Sequence, residues 1–164
     1  MDFNMKNRND LLILSDEALA ALCELEFFKG SGPGGQKRNK SSSAVRVSLR
    51  QAPELAATDC TERSQHRNRS NAINKLKIIL ALQVRLPVSA PLPRMECALS
   101  APDYPLFVAK IFDLLTECSF DHKACAAKCG VSTTALLKKL ARDPKIFQEF
   151  NRRRELLGLP KLNA

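Results

Sequence analysis

The chain has 164 residues, 45% of them hydrophobic, so it can form one domain of ordinary size or two small ones. Its formal net charge is +9, and residues 26–80 hold 11 Lys or Arg against 4 Asp or Glu (11 − 4 = +7), which favours a nucleic acid over an acidic protein or a membrane as partner. We expect neither a transmembrane span nor a signal peptide, because there is no run of about 18 apolar residues and the first ten residues are polar. Six cysteines without a CxxC pair then indicate reduced thiols in a cytoplasmic protein.

The first half of the chain predicts a small sheet and a long helix. Ser15, followed by residues 16–20, is typical of an N-capped short helix, and residues 23–28 alternate as a strand does. Residues 44–49 alternate again, and residues 55–60 can form a partner strand across a turn near Pro53. Residues 62–82 have apolar positions at helical spacing, which predicts an amphipathic helix with a basic exposed side. The basic residues interleaved there are Arg63, Arg67, Arg69, Lys75 and Lys77.

The second half predicts a helical module behind a linker. Pro87, Pro91 and Pro93 interrupt any periodicity and indicate an extended segment. The predicted helices beyond it cover residues 104–118, 122–128, 132–141 and 144–157. We therefore predict an α+β fold, in which a first domain (1–85) has a short mixed sheet and a long basic helix. A Pro-rich linker (86–99) and an all-α C-terminal module (100–164) follow it.

Residues 30–35 hold four of the six glycines and precede Gln36 and a basic run. Because glycine has no Cβ, this backbone can approach a bulky partner closely, and the adjacent cations favour phosphate. The glycine spacing also fits a dinucleotide-binding fingerprint, but the polar residues 36–43 cannot open a helix with an apolar face. A P-loop needs Lys and then Ser or Thr directly after its last glycine, where this chain has Gln36. Neither nucleotide-binding interpretation holds.

Two blocks of sequence carry a more specific pattern. The first is Ser-Gly-Pro-Gly-Gly-Gln at 31–36, continuing through Asn39 and Lys40 to Ser-Ala-Val-Arg at 43–46. The second is Glu-Arg-Ser-Gln-His-Arg-Asn-Arg at 62–69. Together they resemble the peptidyl-tRNA hydrolase domain of prokaryotic-type class I peptide chain release factors and their small ribosome-rescue relatives, over roughly residues 15–82. The resemblance implies a compact α+β domain whose Gly-Gly-Gln loop enters the peptidyl transferase centre and promotes hydrolysis of the peptidyl-tRNA ester.

The resemblance implies that Gly34, Gly35 and Gln36 are the catalytic element, with no cofactor and no metal. In this family the glutamine backbone N–H is thought to stabilise the developing negative charge, while the side-chain amide orients or excludes the nucleophile. Basic and polar neighbours are expected to contact RNA phosphates, which position the protein without reading sequence. These are Lys37, Arg38, Asn39, Lys40, Arg46, Arg63, Gln65, Arg67 and Arg69.

Decoding release factors are far longer, so the resemblance favours a stand-alone, codon-independent hydrolase that acts in translation termination and ribosome rescue. Its expected partners are rRNA of the large subunit and the P-site peptidyl-tRNA, with a possible recruiting protein at the C-terminal module. The alternatives are a non-enzymatic, rRNA-binding accessory factor and a DNA-binding regulator that uses the C-terminal helices.

The C-terminal module contains two further patterns. Ala126, the turn at residues 130–132 and the leucines at 136, 137 and 140 resemble the centre of a helix-turn-helix, although Lys139 stands at a usually apolar position. This pattern is compatible with nucleic-acid binding, with plain helix packing and with protein docking. A second set has the spacing of a zinc site, but helical packing of small residues explains Cys125 and Cys129 equally well. The set is Cys118, His122, Cys125 and Cys129.

Overall fold

The computed structural model describes residues 8–29 and 43–163. In these ranges it contains three strands and seven helices, which confirms the predicted α+β class. The chain divides into two compact units, residues 1–84 and 85–164. The first unit contains the sheet, and the described regular elements of the second unit, from Tyr104 onward, are all helices.

The first unit begins with two short helices. Ser15 lies between them, and its side-chain oxygen accepts a hydrogen bond from the Ala18 backbone N–H at 3.2 Å, which confirms the predicted N-cap. Three strands and one long helix follow. The elements are α1 (Arg8–Ile13), α2 (Asp16–Ala21), β1 (Cys23–Phe28), β2 (Ala44–Leu49), β3 (Ala52–Asp59) and α3 (Gln65–Gln83).

The three strands form an antiparallel sheet in the order β1-β2-β3. A mixed sheet was expected, and for the described strands this is wrong. Only Arg50 and Gln51 join β2 to β3, and so short a connection allows antiparallel pairing alone. β3 begins at Ala52, so Pro53 lies within this strand and not in a turn. β3 is an edge strand and Pro53 is exposed, as is usual for proline in a sheet.

Helix α3 packs against β2 and β3 and forms the core of the first unit with them. Val45 and Val47 on the sheet and Ala72, Leu76 and Leu80 on the helix are fully buried. Each buried Val or Leu side chain stabilises the fold by roughly 1.5–3 kcal/mol, so this layer supplies much of the stability of the unit.

Two lysines of α3 do not belong to an exposed basic side, which corrects the sequence-based interpretation. Lys77 is buried, and its Nζ donates to the Leu14 carbonyl and to Asp16 Oδ1, both at 2.9 Å. Its aliphatic stem lies in the apolar interior while the ammonium group holds the α1–α2 connection against α3. Lys75 forms an ion pair with the buried carboxylate of Asp59 at the end of β3. The charge of each lysine is therefore matched inside the unit.

The second unit has four helices, whose bounds agree with the predicted ones within one or two residues. They are α4 (Tyr104–Glu117), α5 (His122–Lys128), α6 (Thr133–Ala141) and α7 (Pro144–Leu156). Residues 85–103, which are described throughout, contain no helix or strand. Two of their backbone groups bind α4: the Leu86 N–H donates to Asp113 Oδ1 at 3.1 Å, and Lys110 Nζ donates to the Pro91 carbonyl at 3.0 Å. The Pro-rich linker over 86–99 stays a prediction.

The core of the second unit is aromatic. The ring centroid of Phe120 lies 6.1 Å from that of Phe112 and 6.2 Å from that of Phe150. Arg154 is buried beside this cluster, and its guanidinium donates to the carbonyls of Phe120 and Pro160. Arg154 is therefore part of the core, whereas Arg152, two residues earlier, is exposed.

In the two described ranges, no helix combines the length and the apolar character needed to cross a membrane. All six cysteines lie in these ranges, and no disulfide bond joins any of them. Burial raises the pKa of the Cys23 thiol to about 11, more than the nearby charge of Arg50 lowers it. This thiol is thus a small apolar core group and a weak nucleophile.

Candidate functional site

The Gly-Gly-Gln segment belongs to the connection between two paired strands. The β1–β2 ladder ends with the pair Phe28 and Ala44, so the described residues that flank the connection, Lys29 and Ser43, follow neighbouring strand ends. In sequence, Gln36 stands seven residues from each of them. Seven predicted site residues lie in this connection, outside the described residues: Gly34, Gly35, Gln36, Lys37, Arg38, Asn39 and Lys40.

Asn68 holds the described end of this connection. It lies in the first turns of α3 with no exposed surface, and its Nδ2 donates to the Ser43 carbonyl at 2.7 Å. The same Nδ2 donates to the Glu62 carbonyl at 2.9 Å, while Oδ1 accepts from the Glu62 N–H at 2.8 Å. Both amide protons and the amide oxygen are thus used. One side chain therefore links the entrance of β2 to the turn that precedes α3.

A second set of contacts fixes the turn between β3 and α3. Asp59 Oδ1 accepts from the backbone N–H of Thr61 at 3.0 Å and from its hydroxyl at 2.8 Å, and Oδ2 is paired with Lys75. Burial alone would raise the pKa of Asp59. The hydrogen bond and the charge of Lys75 and the two hydrogen bonds from Thr61 outweigh this effect, so the pKa lies below its ordinary value. The carboxylate therefore stays ionised in the folded protein at neutral pH.

Two of the predicted RNA-contacting arginines are exposed and loosely paired. Arg46 on β2 stands opposite Glu26 on β1 in the register, and their side chains form an ion pair at 3.6 Å, each about half exposed. Arg67 on α3 is 74% exposed and lies 3.8 Å from Glu62. Exposed pairs of this kind contribute roughly 0–1 kcal/mol, so an RNA phosphate can compete with either carboxylate.

The other three described candidates differ in exposure. Arg63 and Gln65 are exposed at the start of α3, whereas Arg69 is half-buried. Arg69 Nε is buried and has no hydrogen-bond partner among residues 8–29 and 43–163. Arg67 and Arg69 are two positions apart on an α-helix, so they point about 160° away from each other. The structure therefore does not bring the predicted arginines together on one face of α3.

Arg69 lines an open pocket of mixed charge beside α2. The pocket also contains Asp16, Glu17 and Ser70, and the Ser70 hydroxyl donates to Asp16 Oδ2 at 3.2 Å. His66, which we expect to be structural or to contact RNA, is exposed and lines the same pocket. With two carboxylates on its wall, this pocket is poorly suited to hold a phosphate group.

The four residues with zinc-site spacing do not assemble into a metal site. In the described part of the chain, no three His, Cys, Asp or Glu side chains stand in an arrangement that could hold a metal ion. Cys125 is fully buried, and burial raises the pKa of its thiol, with a further contribution from Cys129 one turn along α5. Burial and the charge of Arg154 lower the pKa of His122. Cys125 is therefore a core side chain of α5, whereas His122 and Cys129 are half-buried.

Residues 19–89 match the family model of the RF-1 domain. Over these residues the chain is similar to the RF-1 domain of peptide chain release factors. Peptide chain release factor 1 of Salinibacter ruber (strain DSM 13855 / M31) is 46% identical over 54 residues, which are 32% of this chain and 15% of the relative. The peptide chain release factors 2 of Bordetella pertussis and Bordetella bronchiseptica are each 44% identical over 54 residues, which are 32% of this chain and 14% of either relative. The chain thus spans about 15% of the length of these curated relatives.

The RF-1 match confirms the resemblance that the two sequence blocks indicate. It includes every predicted site residue, both those that the structure describes and those in the connection between β1 and β2. It also includes Asn68, which belongs to the second block but was not among the predicted site residues. The available signal was a polar amide on the buried side of a helix, because a buried Asn needs hydrogen-bond partners close by.

Proposed function

We propose that this chain promotes hydrolysis of the ester that joins a nascent peptide to tRNA on the ribosome, and that it does so without reading a codon. It would act as a release factor in translation termination and in the rescue of stalled ribosomes. The observation that supports this most is the RF-1 match over residues 19–89, which contains the Gly-Gly-Gln segment. Its partners would be rRNA of the large subunit and the P-site peptidyl-tRNA, in the cytoplasm.

The fold supports this proposal through the way it fixes the residues that flank the segment carrying Gln36. The antiparallel register holds one flank at Phe28 and the other at Ala44, and Asn68 binds the Ser43 carbonyl. Because catalysis requires that reacting groups be positioned closely, a loop whose ends are fixed to a sheet and a helix is better suited than one with loose ends. The RF-1 domain would therefore act as a rigid base for the catalytic loop.

In the proposed reaction, water attacks the ester carbonyl and the 3′-oxygen of the tRNA leaves. The backbone N–H of Gln36 would donate to the oxygen that gains negative charge, and its uncharged side-chain amide would orient the nucleophile. Gly34 and Gly35 would allow the backbone to approach the tRNA end, since neither carries a Cβ. No metal or cofactor is part of the proposal.

We propose that the exposed basic residues bind rRNA through phosphate contacts. Among the described candidates, Arg46, Arg63 and Arg67 have the exposure that this needs. Gln65 and Arg69, with Lys37, Arg38, Asn39 and Lys40 of the connection, complete the proposed set. Phosphate contacts position a protein on RNA and carry no sequence information.

The test is a peptide-release assay with purified ribosomes that carry labelled peptidyl-tRNA. Gly35→Ala and Gln36→Ala should abolish release while leaving co-sedimentation with the large subunit largely intact. Gln83→Ala, at an exposed position at the end of α3, is the matched control and should release peptide as the wild type does. Undiminished release by both loop variants would overturn the proposed chemistry. Ribosome binding without release by the wild type would favour a non-enzymatic accessory factor.

Codon independence is tested by three kinds of stalled ribosome, with a stop codon, a sense codon or no codon in the A site. We expect release from ribosomes without a stop codon in the A site. Release confined to the stop-codon complex would leave the hydrolysis proposal standing and overturn codon independence.

A further inference from the structure

The helices α5 and α6 form a helix-turn-helix whose turn depends on Gly130. Its φ angle is 68°, and its N–H and that of the following residue donate to the carbonyls of Ala127 and Ala126, both at 3.1 Å. These two bonds close the end of α5 as a Schellman motif. Ser132 then caps α6 by accepting from the Ala135 N–H at 3.1 Å. Helix pairs joined by such short turns are common in nucleic-acid-binding modules.

Lys139 departs from the helix-turn-helix pattern, and the structure explains how it is accommodated. The side chain is buried, its Nζ donates to the Cys97 carbonyl, and it lies 5.1 Å from the ring centroid of Phe107. The stem fills the usual apolar position while the charge finds a carbonyl and an aromatic face. This departure therefore leaves the helix-turn-helix intact and removes one cation from its surface.

Most basic side chains of the second unit are engaged with partners inside it. Lys139 and Arg154 are buried, and Lys110 Nζ donates to a backbone carbonyl. Five others form ion pairs: Arg85 with Asp113, Lys128 with Glu117, Arg152 and Arg153 with Glu149, and Lys161 with Glu155. The remaining basic side chains of this unit are exposed and form no ion pair within residues 85–163.

Three exposed cations surround the turn from α6 to α7, and we call them the corner cluster. They are Lys138, Arg142 and Lys145. All three are exposed, and none has an ion pair within residues 85–163. Lys138 and Arg142 are four residues apart and share one side of α6. The acid among them, Asp143, binds the N–H groups of residues 145 and 146 and the Tyr104 hydroxyl. Counting it, the corner has a net charge of +2 (3 − 1).

We propose that the corner cluster binds the phosphate backbone of double-helical RNA. The charge favours a polyanion, and the first turn of α6 favours RNA over sequence-specific DNA binding. In DNA-binding helix-turn-helix proteins this turn carries the side chains that read bases, often Arg, Asn or Gln. Here its exposed residues are Ser132, Thr134 and Ala135, which lack a group for bidentate base contacts. RNA helices are recognised mainly through their shape and their phosphate and 2′-hydroxyl groups, which matches cations that lie beyond the first turn of α6.

The test measures binding of the full-length chain to a labelled RNA duplex of mixed sequence by fluorescence anisotropy over a series of salt concentrations. Lys138→Glu and Arg142→Glu should each weaken binding and lower the slope of log K against log salt by about 1, as expected for the loss of one phosphate contact. Lys161→Glu, which makes the same charge change at an exposed position outside the cluster, is the matched control. Unchanged circular dichroism and melting temperature show that each variant is folded.

The RF-1 domain has exposed arginines of its own, so Arg63→Glu combined with Arg67→Glu serves as a second reference. The arginine changes and a corner change are also combined in one chain. If the losses of binding free energy add in this combination, two separate surfaces bind the RNA. The proposal is overturned if the corner variants bind the RNA duplex as the wild type does, or if Lys161→Glu weakens binding equally. Tighter, sequence-dependent binding to a DNA duplex would overturn it in favour of a DNA-binding module. The measurement uses no ribosomes, so its outcome is independent of the proposed hydrolase activity.

Discussion

Replacing Asn68 with Ala tests whether the second sequence block holds the flanks of the proposed catalytic connection in place. The change removes three hydrogen bonds, of 2.7, 2.8 and 2.9 Å, that join Ser43 and Glu62 to α3. A buried hydrogen bond contributes about 0.5–1.5 kcal/mol net, so three should stabilise the unit by roughly 1.5–4.5 kcal/mol. A loss of 1 kcal/mol lowers the melting temperature of a unit of this size by about 4–8 °C, which makes the expected decrease at least about 6 °C.

The assay is hydrogen exchange of backbone amides in β2 and α3, measured in the full-length chain, because it reports on the first unit separately from the second. Asn74→Ala is the matched control, since Asn74 is exposed on the same helix and Ala has the higher helix propensity. It should leave protection unchanged or increase it slightly. A loss below about 0.5 kcal/mol for Asn68→Ala, which is less than one typical hydrogen bond, would refute the anchoring role.

Asn68→Asp separates the loss of hydrogen bonds from the creation of a cavity. The carboxylate can still accept from the Glu62 N–H, but it places a second oxygen against the carbonyls of Ser43 and Glu62. At neutral pH we expect it to be at least as destabilising as Asn68→Ala. Protonation of the new carboxyl group would restore one hydrogen-bond donor. The stability of Asn68→Asp relative to that of Asn68→Ala should therefore rise as pH falls. A pH-independent difference between the two variants would contradict this account.

Three further predictions concern backbone geometry and pH. Gly130→Ala should destabilise the second unit by about 1–2 kcal/mol, because the φ angle at this position is 68°. Gly130→Asn should destabilise it less, because Asn tolerates this conformation better. Equal unfolding free energies for the two variants would contradict this prediction. Burial and the charge of Arg154 lower the pKa of His122, so the second unit should lose stability as pH falls below about 6.5. The difference in unfolding free energy between the wild type and His122→Gln, measured as a function of pH, should isolate this loss. The pKa of Asp59 is lowered, so its contribution to the stability of the first unit is complete above about pH 4 and should disappear below it. The stability of Asp59→Asn should not show this decrease at low pH.

The sequence predicted most elements of the fold because their signals are local. The alternation at residues 23–28 gave a strand with those bounds, and Ser15 was identified as an N-cap from its own neighbours. The helices of the second unit were found for the same reason, since their periodicity and their capping residues lie within each helix. The start of β3 was missed because Pro53 signals a turn locally, whereas an edge strand tolerates it.

The burial of long cationic side chains was less predictable, because residue type alone does not show their partners. Lys77 and Arg154 are buried because backbone carbonyls that are distant in sequence, those of Leu14 and Phe120, accept from them. Periodicity cannot show such partners. The resemblance assigns both Arg67 and Arg69 to RNA phosphates, and it does not show that a helix directs residues two apart to nearly opposite sides.

Variants at Asn68 and at Gln36 should lose peptide-release activity in different ways, and this difference connects the fold to the proposed chemistry. Asn68→Ala leaves Gln36 in the chain and only loosens the residues that flank its connection, so peptide release should fall as the first unit opens and recover at lower temperature. Gln36→Ala removes the proposed catalytic side chain and should release no peptide at any temperature at which the domain is folded. If Asn68→Ala stayed inactive where hydrogen exchange shows native protection of β2 and α3, Asn68 would belong to the RNA-binding or reacting groups. Recovery on cooling would instead assign it to the scaffold that presents the loop.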